Sequence, residues 1–117
     1  MELKYNFHDV EQPEPLRQYC ESRIGNLERF TSEILHVSVD FHHSHHHKKG
    51  SVFQVDVKVV LPKRVFYAKK EAASFNEAVD RVSEAIEKQI LRYTQRKARV
   101  ARLVKPFKSL SDRMFNR

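Results

Sequence analysis

The 117-residue chain has one cysteine, two glycines, no tryptophan and no long uncharged run. A single thiol, Cys20, cannot form an internal disulfide, which excludes the class of small secreted domains held by disulfides. The longest stretch without Asp, Glu, Lys or Arg runs from Phe41 to His47, seven residues, whereas a membrane span needs ~20 apolar residues. The first residues also lack the apolar core of a secretory signal. We therefore expect a cytoplasmic protein with no membrane partner.

The scarcity of glycine and cysteine also bears on catalysis. Gly25 and Gly50 belong to neither a P-loop nor a dinucleotide-binding pattern, and the chain contains no nucleophile-elbow motif. Cys20 lies on the apolar side of a predicted helix, which favours core packing over a role as nucleophile. We therefore expect no catalytic residue, no cofactor and no small-molecule substrate, and we interpret the chain as a protein that is not an enzyme.

Acidic residues are scarce in the last third of the chain, and this shortage produces the net charge of +7. Residues 1–80 carry 11 Lys plus Arg against 12 Asp plus Glu, whereas residues 81–117 carry 11 against 3. A basic segment of this kind is typical of proteins that bind a polyanion, most often a nucleic acid. The alternative is a basic segment that is only solvated.

Alternating apolar and polar side chains predict four strands. They cover residues 2–8, 35–42, 53–61 and 64–70. In the last strand the inward face stays open, because Val65 and Tyr67 compete for it with Phe66 and Ala68.

Apolar residues at three- and four-residue spacing predict two helices, one over residues 14–30 and a longer one from Ser74, with Ser74 as N-cap. The order β-α-β-β-β-α predicts an α+β fold, with one four-stranded sheet and two helices packed on one face. We expect this domain to cover residues 1–97. Pro106 interrupts the pattern, so we expect residues 98–117 to form a basic, flexible C-terminal tail.

Five cations of the second helix fall within an arc of about 80° on a helical wheel. We call them the basic stripe: Arg81, Lys88, Arg92, Arg96 and Arg99. The acidic residues of this helix gather on another flank. They are Glu77, Asp80, Glu84 and Glu87. Charge sorted in this way suits a polyanion that docks on one side of the helix.

Two readings of the basic stripe remain open at this point. Glu77 with Arg81 and Glu84 with Lys88 are i,i+4 pairs that stabilise a solvated helix. Three arginines of the stripe, however, have no acidic residue three or four positions before them: Arg92, Arg96 and Arg99. Since planar guanidinium groups form bidentate contacts with phosphates, we expect the stripe to bind an RNA or DNA backbone.

A histidine-rich segment separates the second and third strands. It contains His42, His43, His45, His46 and His47. Neutral imidazoles bind zinc, nickel or copper, but no cysteine and no regularly spaced second ligand pair accompanies them. We interpret the segment as a polar hairpin loop with adventitious metal affinity only, and we predict no dedicated metal site.

Two motifs then indicate a family. The first helix carries PLRQY at 15–19 and NLERF at 26–30, and the second carries SFNEAVD at 74–80 with Gln89 nine residues later. In this order of elements, the chain resembles the short ribosome hibernation-promoting factor and ribosome-associated inhibitor A family, also called sigma-54 modulation proteins. The resemblance covers residues 1–97.

The resemblance implies a partner and a function. The chain would bind ribosomal RNA of the small ribosomal subunit near the decoding region, block transfer RNA and messenger RNA, and silence translation under stress or in stationary phase. By position, the family's basic residues correspond to Arg23, Lys88, Arg92 and Arg96. Arg81 and Arg99 come from the stripe alone. We expect a monomer when the chain is off the ribosome. The alternative is a regulator whose second helix docks an acidic protein.

Overall fold

The computed structural model describes residues 1–46, 48 and 50–115, with side chains at all of these positions except 46 and 104–115. The elements are β1 (Glu2–His8), α1 (Pro13–Ile24), β2 (His36–His46), β3 (Gly50–Val60), β4 (Val65–Ala72) and α2 (Phe75–Phe115). A short 3₁₀ helix, Gly25–Arg29, follows α1. The predicted order β-α-β-β-β-α is confirmed.

The four strands form one mixed sheet in the order β1-β2-β3-β4. β1 pairs with β2 in parallel, and the other two pairings are antiparallel. A parallel pair requires a crossover connection, which α1 provides. Because side chains alternate across a strand, one register row brings Tyr5, Val39, Val57 and Ala68 to the same face of the sheet.

Helix α2 supplies the largest apolar contribution to the layer that covers this face. Val79, Val82, Ile86 and Ile90 follow its three- and four-residue spacing, and all four are fully buried in the common core. Each fully buried aliphatic side chain contributes about 1.5–3 kcal/mol of transfer free energy. This packing holds α2 in one orientation on the sheet and therefore determines which of its flanks faces solvent.

The structure resolves the open register of the fourth strand. Phe66 and Ala68 are buried, whereas Val65 and Tyr67 are 53% and 54% exposed. Phe66 lies opposite Val59 in the sheet and meets the ring of Tyr93 on α2 edge-on, with 5.6 Å between ring centroids. The aromatic contact with α2 explains why this pair of side chains occupies the inner face.

The predicted histidine-rich loop is wrong for most of its length, because β2 continues to His46. Pairing with β3 extends to the end of the hairpin, where His46 lies opposite Gly50, so the segment satisfies its backbone groups as a strand. His42 stacks on His8 with 4.6 Å between ring centroids, while His43 stacks on Phe53 at the same distance. His47 lies outside the described residues.

The helix ends also differ from the sequence-based bounds. α1 ends at Ile24, and the chain tightens into the 3₁₀ helix at Gly25.

The N-cap prediction for α2 is confirmed, because Ser74 Oγ accepts a hydrogen bond from the Glu77 backbone N–H at 3.2 Å. Among the described residues, none of the helices is both long enough and apolar enough to cross a bilayer.

Helix α2 continues to Phe115 and passes Pro106, where the sequence analysis expected a flexible tail. Residues 98–105 contain no glycine or proline, so nothing before Pro106 breaks the helix. Residues 116–117 of the expected tail lie outside the described part of the chain. The division into a domain of residues 1–97 and a segment of residues 98–117 stays a prediction.

Candidate nucleic-acid interface

One flank of α2 lies along β4, the edge strand of the sheet. Arg81 Nη1 donates a hydrogen bond to the Glu71 carbonyl oxygen at 3.2 Å, and Gln89 Nε2 donates one to the Tyr67 carbonyl oxygen at 3.0 Å. Eight residues span ~12 Å along a helix, and four span ~13 Å along a strand. The two spacings match, and the later residue of the helix bonds to the earlier residue of the strand, so α2 runs antiparallel to β4. The two side chains satisfy two carbonyl groups at the open edge of β4.

The basic stripe shares this flank. Since Arg81 belongs to the stripe and contacts β4, the remaining members lie on the β4 side of α2 within the same arc of about 80°. All five members are exposed to solvent: Arg81, Lys88, Arg92, Arg96 and Arg99. The structure therefore brings these five predicted site residues together on one accessible surface.

The ion pairs of the stripe are unevenly distributed. Arg81 forms the expected i,i+4 pair with Glu77, at 2.6 Å. Within the part of the chain that the structure describes, the other four cations form no ion pair: Lys88, Arg92, Arg96 and Arg99. The Glu84–Lys88 pair in particular is not formed. Four like charges along one flank repel each other until an anion neutralises them.

The structure places Arg23 away from the stripe. Its Nη1 lies 2.6 Å from Glu87 Oε1, and its Nε lies 3.5 Å from Asp80 Oδ1. Burial by itself lowers the pKa of Arg23, but the hydrogen bond to Glu87 and the neighbouring carboxylates raise the pKa overall. Tyr19 on α1 also donates a hydrogen bond to Asp80. Arg23 is thus part of a polar contact between α1 and α2.

This contact explains the charge sorting of α2. On a helical wheel, Asp80 and Glu87 fall on the flank opposite the basic stripe, and that flank is the one that meets α1. Asp80 and Glu87 hold the two helices together, while the basic flank lies over the edge of the sheet. The sequence predicted the sorting but gave no sign that Arg23 would pair with the acidic flank.

The chain matches the family model described as Sigma 54 modulation protein / S30EA ribosomal protein over residues 3–98. The match covers most of the 117 residues. The chain belongs to this family. The resemblance inferred from the two helix motifs is thereby confirmed.

One curated protein and two solved structures extend the comparison. The chain is 26% identical to a ribosome hibernation promotion factor of Deinococcus radiodurans over 88 aligned residues. The alignment covers 75% of this chain and 46% of that protein. The chain therefore spans about half the length of this relative. The fold matches the Protein Y N-terminal domain of Thermus thermophilus with a TM-score of 0.67 and 23% identity, covering 80% of this chain and 99% of the other. A ribosomal subunit interface protein from Coxiella burnetii gives a TM-score of 0.66 and 24% identity, covering 81% and 99%.

The S30EA match includes most of the basic stripe. It ends at residue 98, so Arg81, Lys88, Arg92 and Arg96 lie inside it and Arg99 lies just outside. Gln89, which the helix motif contains, also lies inside, and the structure gives it a role as a hydrogen-bond donor to the β4 edge. The family region thus contains the glutamine that bonds α2 to β4 and four of the five cations of the basic stripe.

The other candidate features lie apart from the stripe. The described residues contain no group of three or more His, Cys, Asp or Glu arranged to hold a metal ion. A cleft of about 680 Å³ is lined by residues that include Asp9, His43, Phe53 and Phe75, and no member of the stripe borders it. The candidate interface is therefore an exposed surface of α2 that lies apart from this cleft.

Sequence reasoning missed one exposed cation near this surface, Arg64. Its guanidinium carbon lies over the rings of Phe66 and Tyr93. No spacing pattern marks this residue, because the contact exists only once the turn between β3 and β4 has folded onto α2.

Proposed function

We propose that the chain is a ribosome hibernation factor that binds ribosomal RNA of the small ribosomal subunit through the basic stripe. It acts in the cytoplasm without catalysis, by occupying the decoding region and blocking transfer RNA and messenger RNA. The observation that carries the proposal is the set of four exposed cations without an ion pair among the described residues: Lys88, Arg92, Arg96 and Arg99.

Family membership supports this partner. The family description names a ribosomal protein, and the Deinococcus relative is a ribosome hibernation promotion factor. Because this chain corresponds to about half of that relative, the proposal concerns what residues 3–98 can bind. A rigid surface is what such binding requires, and the polar contact of Arg23 with Glu87 and Asp80 holds α1 against α2.

The mechanism follows from electrostatics. An arginine row in fixed helical register presents planar donors to successive phosphates, so RNA binding relieves the repulsion within the row. Each neutralised phosphate releases condensed counterions. For four contacts, the logarithm of the association constant falls against the logarithm of salt concentration with a slope of about −3.

Sucrose-gradient sedimentation of a growth-arrested lysate tests the proposal. The chain is expected to migrate with ribosomal particles that contain the small subunit, to leave them as salt is raised, and to be released by RNase. A complex that is insensitive to salt and that survives RNase would contradict RNA binding and would favour an acidic protein partner for α2.

A further inference from the structure

The turn between β3 and β4 ends in Arg64, an exposed residue with a fixed position. Its carbonyl oxygen accepts a hydrogen bond from the Leu61 backbone N–H at 2.8 Å, which closes the turn. Its guanidinium carbon lies 5.5 Å from the ring centroid of Phe66 and 5.4 Å from that of Tyr93. Both distances are within the ~6 Å range of cation–π attraction. Backbone and side chain are therefore both held in place before any partner arrives.

The ring contacts leave the hydrogen-bonding capacity of Arg64 unused. Aromatic rings attract the guanidinium through its charge and flat surface, whereas its five N–H donors point outward in the plane of the group. Arg64 forms no ion pair with any residue that the structure describes. By contrast, Arg81 pairs with Glu77 and Lys97 pairs with Glu33. Arg64 is thus a prepositioned cation whose N–H donors form no hydrogen bond or ion pair with the described residues.

Arg64 belongs to the β3–β4 turn, and its side chain packs against α2 at Tyr93. Tyr93 precedes Arg96 of the basic stripe by three residues, and side chains three residues apart are neighbours on a helix surface. On the same side, Gln89 joins α2 to the Tyr67 carbonyl of β4. The β3–β4 turn therefore adds one cation, Arg64, on the side of α2 that faces β4.

We propose that Arg64 contacts a phosphate of the same RNA that the basic stripe binds, so that the RNA-binding surface consists of α2 together with the β3–β4 turn. This inference rests on the proposed function. A phosphate is the partner that fits, because the free donors lie in one plane and present a fork to paired oxygens. A lysine keeps the charge but offers neither the fork nor the flat surface for two rings.

Binding of purified small ribosomal subunits by the full chain tests the inference, with Arg64→Gln, Arg64→Lys and Lys4→Gln compared at several salt concentrations. Lys4 is the matched control, since it is an exposed cation on β1 at the far edge of the sheet. We expect Arg64→Gln to weaken binding about tenfold and to make the salt dependence shallower by about one phosphate contact. Arg64→Lys is expected to recover part of the affinity, and Lys4→Gln is expected to leave it unchanged.

Binding by Tyr93 variants tests separately whether the rings hold Arg64 in place. Tyr93→Leu removes one ring under Arg64, and we expect it to weaken binding in the original chain but not in a chain that already carries Arg64→Gln. Tyr93→Phe keeps the ring and is expected to preserve binding in both. Thermal unfolding of each variant verifies that the fold is retained.

Two results would overturn the inference, and they differ in what else they affect. If Arg64→Gln binds like Lys4→Gln while an Arg92→Gln chain binds weakly, Arg64 is no RNA contact and the proposed function stands. If the unaltered chain does not bind small subunits at all, both the proposed function and this inference fail.

Discussion

Arg23 Nη1 lies 2.6 Å from Glu87 Oε1, and this ion pair joins α1 to the acidic flank of α2. The two side chains are 27% and 23% exposed, so solvent screens the pair only in part. Arg23 pairs with two carboxylates of α2, Glu87 and Asp80. On the other flank of α2, four cations stay exposed: Lys88, Arg92, Arg96 and Arg99.

The Arg23–Glu87 pair is expected to contribute measurably to stability. Arg23→Ala should lower the free energy of unfolding by about 1 kcal/mol, because it leaves a half-buried carboxylate without its donor. Urea denaturation of Arg23→Ala, Glu87→Ala and the double variant measures the coupling. A coupling energy near zero would show that the pair does not stabilise the helix contact.

Gln89 is expected to protect the edge of the sheet. Gln89→Ala removes the donor to the Tyr67 carbonyl, which should cost about 0.5–1.5 kcal/mol and expose part of the β4 edge. Amide hydrogen exchange should then accelerate in β4 more than in β2. Gln95→Ala, an exposed glutamine later in the same helix, is the matched control, and equal effects from both variants would refute the role of Gln89.

Cys20 is expected to report unfolding. The thiol is fully buried, and burial raises its pKa from 9.0 to about 12. Thiol-specific labelling at pH 8 should be slow in the native chain and fast in urea. Rapid labelling of the folded chain would contradict the buried position.

The same pKa shift gives a stability prediction. Well below pH 9 the thiol is neutral in both states, whereas between pH 9 and about 12 it ionises mainly in the unfolded chain. Stability should therefore fall as pH rises through this window, by up to about 1.4 kcal/mol per pH unit from this group. A Cys20→Ala chain should show a shallower decline, and an identical decline would assign the effect to other groups.

Truncation after Lys97 tests the predicted domain boundary. Among the residues whose burial the structure describes, the core ends at Ile90, with Tyr93 packed against it, and residues 98–103 are exposed. A chain of residues 1–97 should therefore unfold within about 0.5 kcal/mol of the full chain. Its affinity for small subunits should drop, because Arg99 and the later cations are lost. A large loss of stability would move the boundary toward the C-terminus.

Local patterns predicted the elements well where a single periodicity was present. The spacing of Val79, Val82, Ile86 and Ile90 in α2 is the clearest case, and all four form the core. The sequence could not decide the inward face of β4, because Val65 with Tyr67 and Phe66 with Ala68 are both apolar enough to be buried. Pairing with the buried Val57 and Val59 of β3 and contact with Tyr93 on α2 select Phe66 and Ala68.

The candidate site was predictable in part for a similar reason. Helical register alone aligns Arg92, Arg96 and the rest of the stripe. The register of one helix does not predict contacts between different elements. The pairing of Arg23 with Glu87 and the placement of Arg64 over Tyr93 could therefore be found only in the folded structure. The histidines were misread as a loop because pairing with β3, not their own composition, makes them a strand.

Co-sedimentation of an Arg92→Glu, Arg96→Glu chain with small ribosomal subunits tests the central claim most directly. The matched control reverses two exposed lysines on the open face of the sheet, Lys4→Glu with Lys58→Glu, so both chains carry the same net charge. The account predicts that the α2 variant loses binding by about 100-fold or more, from two lost charge-assisted contacts, while the control loses far less. Equal binding by the two chains would contradict a role for the basic stripe.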